Sequence, residues 1–145
     1  MNKHFLYPTT IFASKNPTLI TTILGSCVAV CLFDQNVGIG GMNHFMMPAW
    51  NGSGLASPKY GDIAMIKLVE KMISLGSNKN NIIAKVFGGG MKGTHFFNIG
   101  ERNIHIAMDY LTSEHIPVVA QHVGGREARK IIFNTQNGEV RLKLI

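Results

Sequence analysis

The sequence predicts an α/β fold, a single domain over residues 1–145 with a largely antiparallel sheet and two main helices. Three observations predict it. Two segments carry apolar residues at helical spacing, about seven short β-branched or apolar runs lie around them, and Gly, Asn and Pro punctuate the joins. Thr18 to Leu24 and Val28 to Phe33 are the first two clear strands, broken by Gly25-Ser26 into a tight bend. Asp34-Gln35-Asn36 is a turn, and residues 37–47 form a third extended segment with glycines at 38, 40 and 41. Glycine inside a strand marks a bulge or a close backbone approach.

Residues 48–59, PAWNGSGLASPK, read as a polar loop long enough to shape or cover a site. From Tyr60 to Leu75 the period changes, with Ile63, Ile66, Val69 and Ile73 on one helical face and Gly76 as the stop. Residues 82–87 read as a buried strand running into Gly88-Gly89-Gly90. Residues 102–114 read as a second helix, with Ile104, Ala107, Met108 and Leu111 on one face. A strand over 116–123 ends at Gly124-Gly125. Two final strands, 130–134 and 139–144, flank Thr135-Gln136-Asn137-Gly138, where Asn-Gly signals a hairpin.

Composition narrows the class. Of 145 residues 46 % are hydrophobic and 15 % charged, which suits a packed core rather than disorder. No apolar run approaches the roughly 20 residues of a membrane span, so no membrane insertion is expected. The N-terminus has no basic start followed by an apolar stretch, so no signal peptide is expected either. Two cysteines without an export signal point to the cytoplasm, where thiols stay reduced. The net charge of +6 favours acidic partners. Its basic residues (Lys59, Lys67, Lys71, Lys79, Lys85, Lys92) are scattered and not interleaved with aromatics. An acidic protein surface is therefore the expected partner, not nucleic acid.

Chemistry concentrates between Thr21 and Pro48. Cys27 follows Gly25-Ser26, where the chain turns sharply and presents a side chain at a strand edge; backbone N–H groups at such a bend are placed to receive an oxyanion. The bland alternative is that Cys27 fills core, as cysteine often does. His44 follows Gly40-Gly41, which lets another backbone or a substrate approach; its alternative is a satisfied histidine in an apolar strand. A thiol beside a histidine is the pairing that generates a nucleophile near neutral pH. Cys31 lies four residues beyond Cys27, roughly 13 Å along a strand, which excludes a disulfide and makes it core filling. Thr21 is placed to orient His44, or is simply a β-former, and spacing leaves that open. His4, His95, His105, His115 and His122 lack the glycine context, and no pair has metal-ligand spacing, so no metal site is expected. Gly88-Gly89-Gly90 and Gly124-Gly125 match no phosphate-binding pattern and read as loops that let a substrate backbone pass near the thiol.

Taken in order, LGSCVAVCLFD, GGMNHFMMP, KYGDIAM, VFGGGM, IGERN and VGGREARKIIF resemble the chemoreceptor glutamine deamidase family, CheD, over most of the chain. The resemblance implies a layered α/β/β arrangement, related to the catalytic domain of deamidating bacterial toxins. It implies Cys27, His44 and Thr21 as the catalytic residues and Gly25 and Ser26 as the oxyanion and substrate loop. It implies hydrolysis of receptor glutamine side chains through a Cys27 thioester, and of receptor glutamyl methyl esters by the same machinery. No cofactor is implied. Methyl-accepting chemotaxis receptors are the implied substrate and a CheC-type phosphatase a further partner; a non-catalytic module regulating that phosphatase is the alternative function, and a cysteine protease or general amidase a third. Two departures stand out: His122 where the family commonly has an acid, and Ala128 where it commonly has glycine.

Overall fold

The structure, a computed structural model, describes residues 1–91 and 98–145. Lys92 and His95, noted above, lie outside the described residues. The strands are β1 (Asn2–Phe5), β2 (Ile11–Ser14), β3 (Thr18–Leu24), β4 (Val28–Asp34), β5 (Ile39–Asn43), β6 (Ile82–Gly88), β7 (Val118–Val123), β8 (Arg129–Asn134) and β9 (Val140–Leu144). The helices are α1 (Gly61–Ser74) and α2 (Ile99–Ser113), with a 3₁₀ turn at Lys79–Asn81. The strands form a four-stranded sheet, β1-β3-β8-β9, and a five-stranded sheet, β2-β5-β4-β6-β7.

Three layers follow. One core lies between the helices and the five-stranded sheet, built from Val28, Val30 and Leu32 of β4 with Met65, Leu68 and Met72 of α1. A second core lies between the two sheets, where Ala29, Cys31 and Phe33 meet Ile20, Leu24, Ile131 and Phe133. Every residue of β4 is buried because both of its faces are covered, which is why that strand reads as an unbroken apolar run. Cys31 sits in this inter-sheet core, and burial pushes its thiol far up. This is the α/β/β layering expected from the resemblance.

Both sheets are mixed. Five of the seven described strand pairings are antiparallel, but β1 runs parallel to β3 and β7 parallel to β6. The β6–β7 pairing is parallel because α2 crosses over between the two strands. Strands β1 and β2 were not expected from the pattern: each is four residues long, lies at a sheet edge and buries little, so alternation has no length in which to show.

The first helix occurs where its period placed it, but its buried face differs. Ala64, Met65, Leu68, Val69 and Met72 pack inward, while Ile66 and Ile73 are each 46 % exposed. Flexible methionines fill the uneven surface under the helix, displacing the isoleucine stripe. In α2 Ala107 and Leu111 are buried and Ile104 and Met108 partly so, as the pattern required, together with Asn103. The β8–β9 hairpin closes through Gly138, at φ +80°, whose N–H donates to Asn134 O at 2.8 Å.

Candidate active site

The bend between β3 and β4 is held through its carbonyls. Gly90 N–H donates to Gly25 O at 2.9 Å, Gly89 N–H donates to Cys27 O at 2.9 Å, and Asn103 Nδ2 donates to Ser26 O at 3.1 Å. The glycine run after β6 exists for this contact. Gly88 has φ +107°, and a Cβ there would overlap the Cys27 carbonyl oxygen. The run therefore packs against the bend itself, where the sequence suggested a passing substrate backbone. Likewise, a Cβ on Gly40 would lie 2.9 Å from the Thr135 backbone and one on Gly41 2.7 Å from Ala13 Cβ. The approach that these glycines permit is made by the protein's own neighbouring elements.

Strand β5 departs from its ladder at the histidine. Cys31 pairs with Met42, and the bridge resumes at Val28–Phe45, but between them Val30 N–H donates to the Asn43 side-chain Oδ1 at 2.8 Å. The side chain fills a ladder position, and His44 O is free to accept from Thr9 N–H at 2.8 Å. The Val28–Phe45 bridge makes Cys27 a diagonal neighbour of His44 on the face toward the four-stranded sheet, about 7–8 Å apart at sheet geometry.

His44 is 2 % exposed, and its Nδ1 lies 2.7 Å from Thr22 Oγ1. The same hydroxyl donates to Leu6 O at 2.8 Å. A hydroxyl has one proton and a carbonyl none, so Thr22 must accept from Nδ1–H. The imidazole is thereby fixed with its proton on Nδ1 and a lone pair on Nε2. Burial lowers its pKa to about 4, so it is neutral at physiological pH. The Cys27 thiol is half-buried: burial raises its pKa, and its own backbone N–H lowers it in part. The thiol and the imidazole are thus both neutral near pH 7, and the imidazole carries its lone pair on Nε2.

Thr21, expected to hold His44, points the other way. Along β3, Ile20, Thr22 and Leu24 are buried while Leu19, Thr21 and Ile23 face outward. Thr21 instead borders a shallow outer groove with Lys3, Phe5 and Ile132. Both phases of the strand are apolar enough to face a core, so the sequence held no signal that chose between the threonines.

Two further residues escaped the sequence reading. Asn103 from α2 reaches both Ser26 O and Met46 O. Arg129 is 1 % exposed and clamps the glycine turns: it donates to His122 Nδ1 at 2.8 Å, Gly124 O at 2.6 Å, Glu127 O at 3.2 Å and Gly88 O at 3.4 Å. His122, one of the two departures, therefore keeps an acceptor in front of Arg129. The other, Ala128, helps line a groove of about 420 Å³ beside Gly25 and Ser26, with Met91, Arg126 and Glu127. On the other side the 48–59 loop is tied down by Lys59 O, which accepts from Met46 N–H and Met47 N–H at 2.9 and 3.0 Å, and by Asp62 Oδ1, which accepts from Trp50 N–H at 3.0 Å.

Fold and site define a layered α/β/β protein with a thiol on a pinned bend and a tautomer-fixed imidazole beside it. The family model for CheD chemotactic sensory transduction matches residues 46–144. A probable chemoreceptor glutamine deamidase CheD of Trichlorobacter lovleyi is 52 % identical over 145 residues, covering 98 % of this chain and 90 % of that protein. Similarly named proteins of Sulfurimonas denitrificans (43 % identical; 99 % and 94 % covered) and Rhodospirillum rubrum (40 % identical; 100 % and 84 % covered) match throughout. The chain belongs to the CheD family. The matched family segment begins after Cys27 and His44, whereas these full-length relatives extend across both. Among the described residues, no helix is long and apolar enough to cross a membrane.

Proposed function

We propose that this protein is a cytoplasmic protein-glutamine deamidase of chemotaxis receptors, with Cys27 as nucleophile, His44 as base and Thr22 as the group that holds the base. The observation that carries this reading is the Leu6–Thr22–His44 chain, which fixes one imidazole tautomer beside a partly buried thiol. The names of the relatives supply the substrate class.

His44 Nε2 takes the thiol proton, and Sγ attacks the carbonyl carbon of the glutamine side chain. The oxyanion is received at the bend of Gly25, Ser26 and Cys27, with the Cys27 N–H as a donor. Collapse breaks the C–N bond as His44 gives its Nε2 proton to the departing ammonia, leaving a thioester. Water then yields a proton to His44 and its oxygen to the carbonyl carbon, and collapse releases glutamate and the thiol. A glutamyl methyl ester differs only in its leaving group and fits the same steps. The net charge of +6 steers the protein toward the glutamate-rich surface of a receptor helix. Mass spectrometry of a receptor cytoplasmic fragment, before and after incubation, tests the proposal: defined glutamines should become glutamate, and a folded protein that converts none across several receptors would defeat it.

The buried imidazole also sets a pH dependence. The acid limb of kcat/KM should fall near pH 4, well below the ordinary histidine range, because only protonation of His44 removes the base. Stability should respond in the same direction. The unfolded chain protonates this histidine near pH 6.5 and the folded chain near 4, so the unfolded state gains protons first as pH falls. The contribution is intact above pH 6.5 and declines toward pH 4, amounting to about 3 kcal/mol when complete. Urea unfolding of wild type and His44→Gln at pH 7 and pH 4.5 isolates it. Wild type should lose more stability than the variant over that interval, and parallel losses would contradict the buried neutral imidazole.

A further inference from the structure

Asn103 is the fully buried polar residue on the inward face of α2. Its Nδ2 donates to Ser26 O at 3.1 Å and to Met46 O at 3.0 Å, so both amide protons go to carbonyls that bracket the reactive pair. Two carbonyl partners settle which end of the amide is nitrogen, because neither can donate. Its Oδ1 is enclosed and has no hydrogen-bond partner among the described residues. A residue retained only for packing would not bury an unpaired acceptor where an apolar side chain of equal volume fits.

We infer that Asn103 is a positioning residue that fixes the Ser26–Cys27 peptide plane so that the Cys27 N–H faces the oxyanion; this rests on the deamidase reading above. The peptide is trans, so its C=O and N–H point in opposite directions. With Ser26 O tied to α2, the Cys27 N–H of the same peptide points away from the helix. The neighbouring carbonyls of Gly25 and Cys27 are held by backbone N–H groups of Gly90 and Gly89. Ser26 O alone among these three is held by a side chain, so it is the one that a substitution can release. The second bond, to Met46 O, ties the segment following His44 to the same amide and keeps the two sides of the dyad in one frame.

The test compares two reactions of the same sulfur in Asn103→Ser and Asn103→Leu. Deamidation of a receptor fragment forms an oxyanion; alkylation by iodoacetamide is a direct displacement of iodide and forms none. Cys31 is buried, so alkylation reports on Cys27. In a variant that melts as a folded protein, kcat should fall about 30-fold with KM within about twofold, while the pH profile and rate of alkylation stay within about twofold of wild type. Unchanged turnover overturns the inference. So does alkylation slowed in proportion to turnover, which would mean that Asn103 acts on the thiol itself. Failure of both variants to fold would make the residue structural and also overturn it. A wild-type protein that alkylates normally yet deamidates nothing would defeat the deamidase reading and the inference with it, whereas an active wild type with active variants defeats the inference alone.

Discussion

A Cys27→Ala protein should convert no receptor glutamine to glutamate, a loss on the order of 10⁴-fold or more, while melting within a few degrees of wild type. The effect is total because the proposed steps all pass through a covalent bond to Sγ, and alanine offers no atom to form it. Stability should hardly change, because the side chain is only half-buried and lies at the rim of the inter-sheet core. Peptide mass spectrometry of a receptor fragment incubated with each protein reads the outcome directly. Residual conversion at a substantial rate would shift the nucleophile elsewhere. A variant that loses conversion in vitro yet restores chemotaxis fully to a deletion strain would favour the binding role toward a CheC-type phosphatase, which needs no thiol.

Thr22→Val should lower kcat about 100-fold, and Thr21→Val should leave it within about twofold. Valine matches threonine in shape but neither accepts from Nδ1–H nor donates to Leu6 O. Two buried polar groups then lose their partners, a destabilisation of about 2–4 kcal/mol. The freed imidazole can also carry its proton on Nε2, where it would face the thiol as a donor instead of a base. Thr22→Ser, which keeps the hydroxyl, should recover most of the activity and separates the hydrogen bond from packing. Steady-state kinetics on one receptor fragment, with urea unfolding alongside, checks all three variants. Inactivation by Thr21→Val with Thr22→Val active would return the role to Thr21.

The two threonines also mark where the sequence stopped being legible. Residues 18–24 and 28–33 could be read as strands because β-branched runs of that length have few other uses, and the observed bounds differ from the expected ones by one residue at most. The Gly-Ser before Cys27 and the Gly-Gly before His44 marked a bend and a close approach, and the structure contains both. What approaches at those glycines was not legible, because Gly90 meets Gly25, and Gly40 meets Thr135, across long stretches of chain. Residues 60–75 were readable as a helix, yet the buried stripe was not, because methionine and alanine pack as readily as isoleucine.

By itself, then, the order of residues determined the α/β class, the clear strands and the nominated Cys27–His44 pair, since these rest on local period, turn chemistry and family resemblance. Only the tertiary structure decided that Thr22 meets His44, that Asn103 holds the Ser26 carbonyl and that Arg129 clamps the glycine turns. A strand with two apolar phases, as β3 has, can turn either to the core, and the choice falls to the sheet that packs against it. The partners of Asn103 and Arg129 are largely backbone carbonyls. Every residue has a carbonyl, so no side-chain pattern announces which of them a buried amide or guanidinium will find.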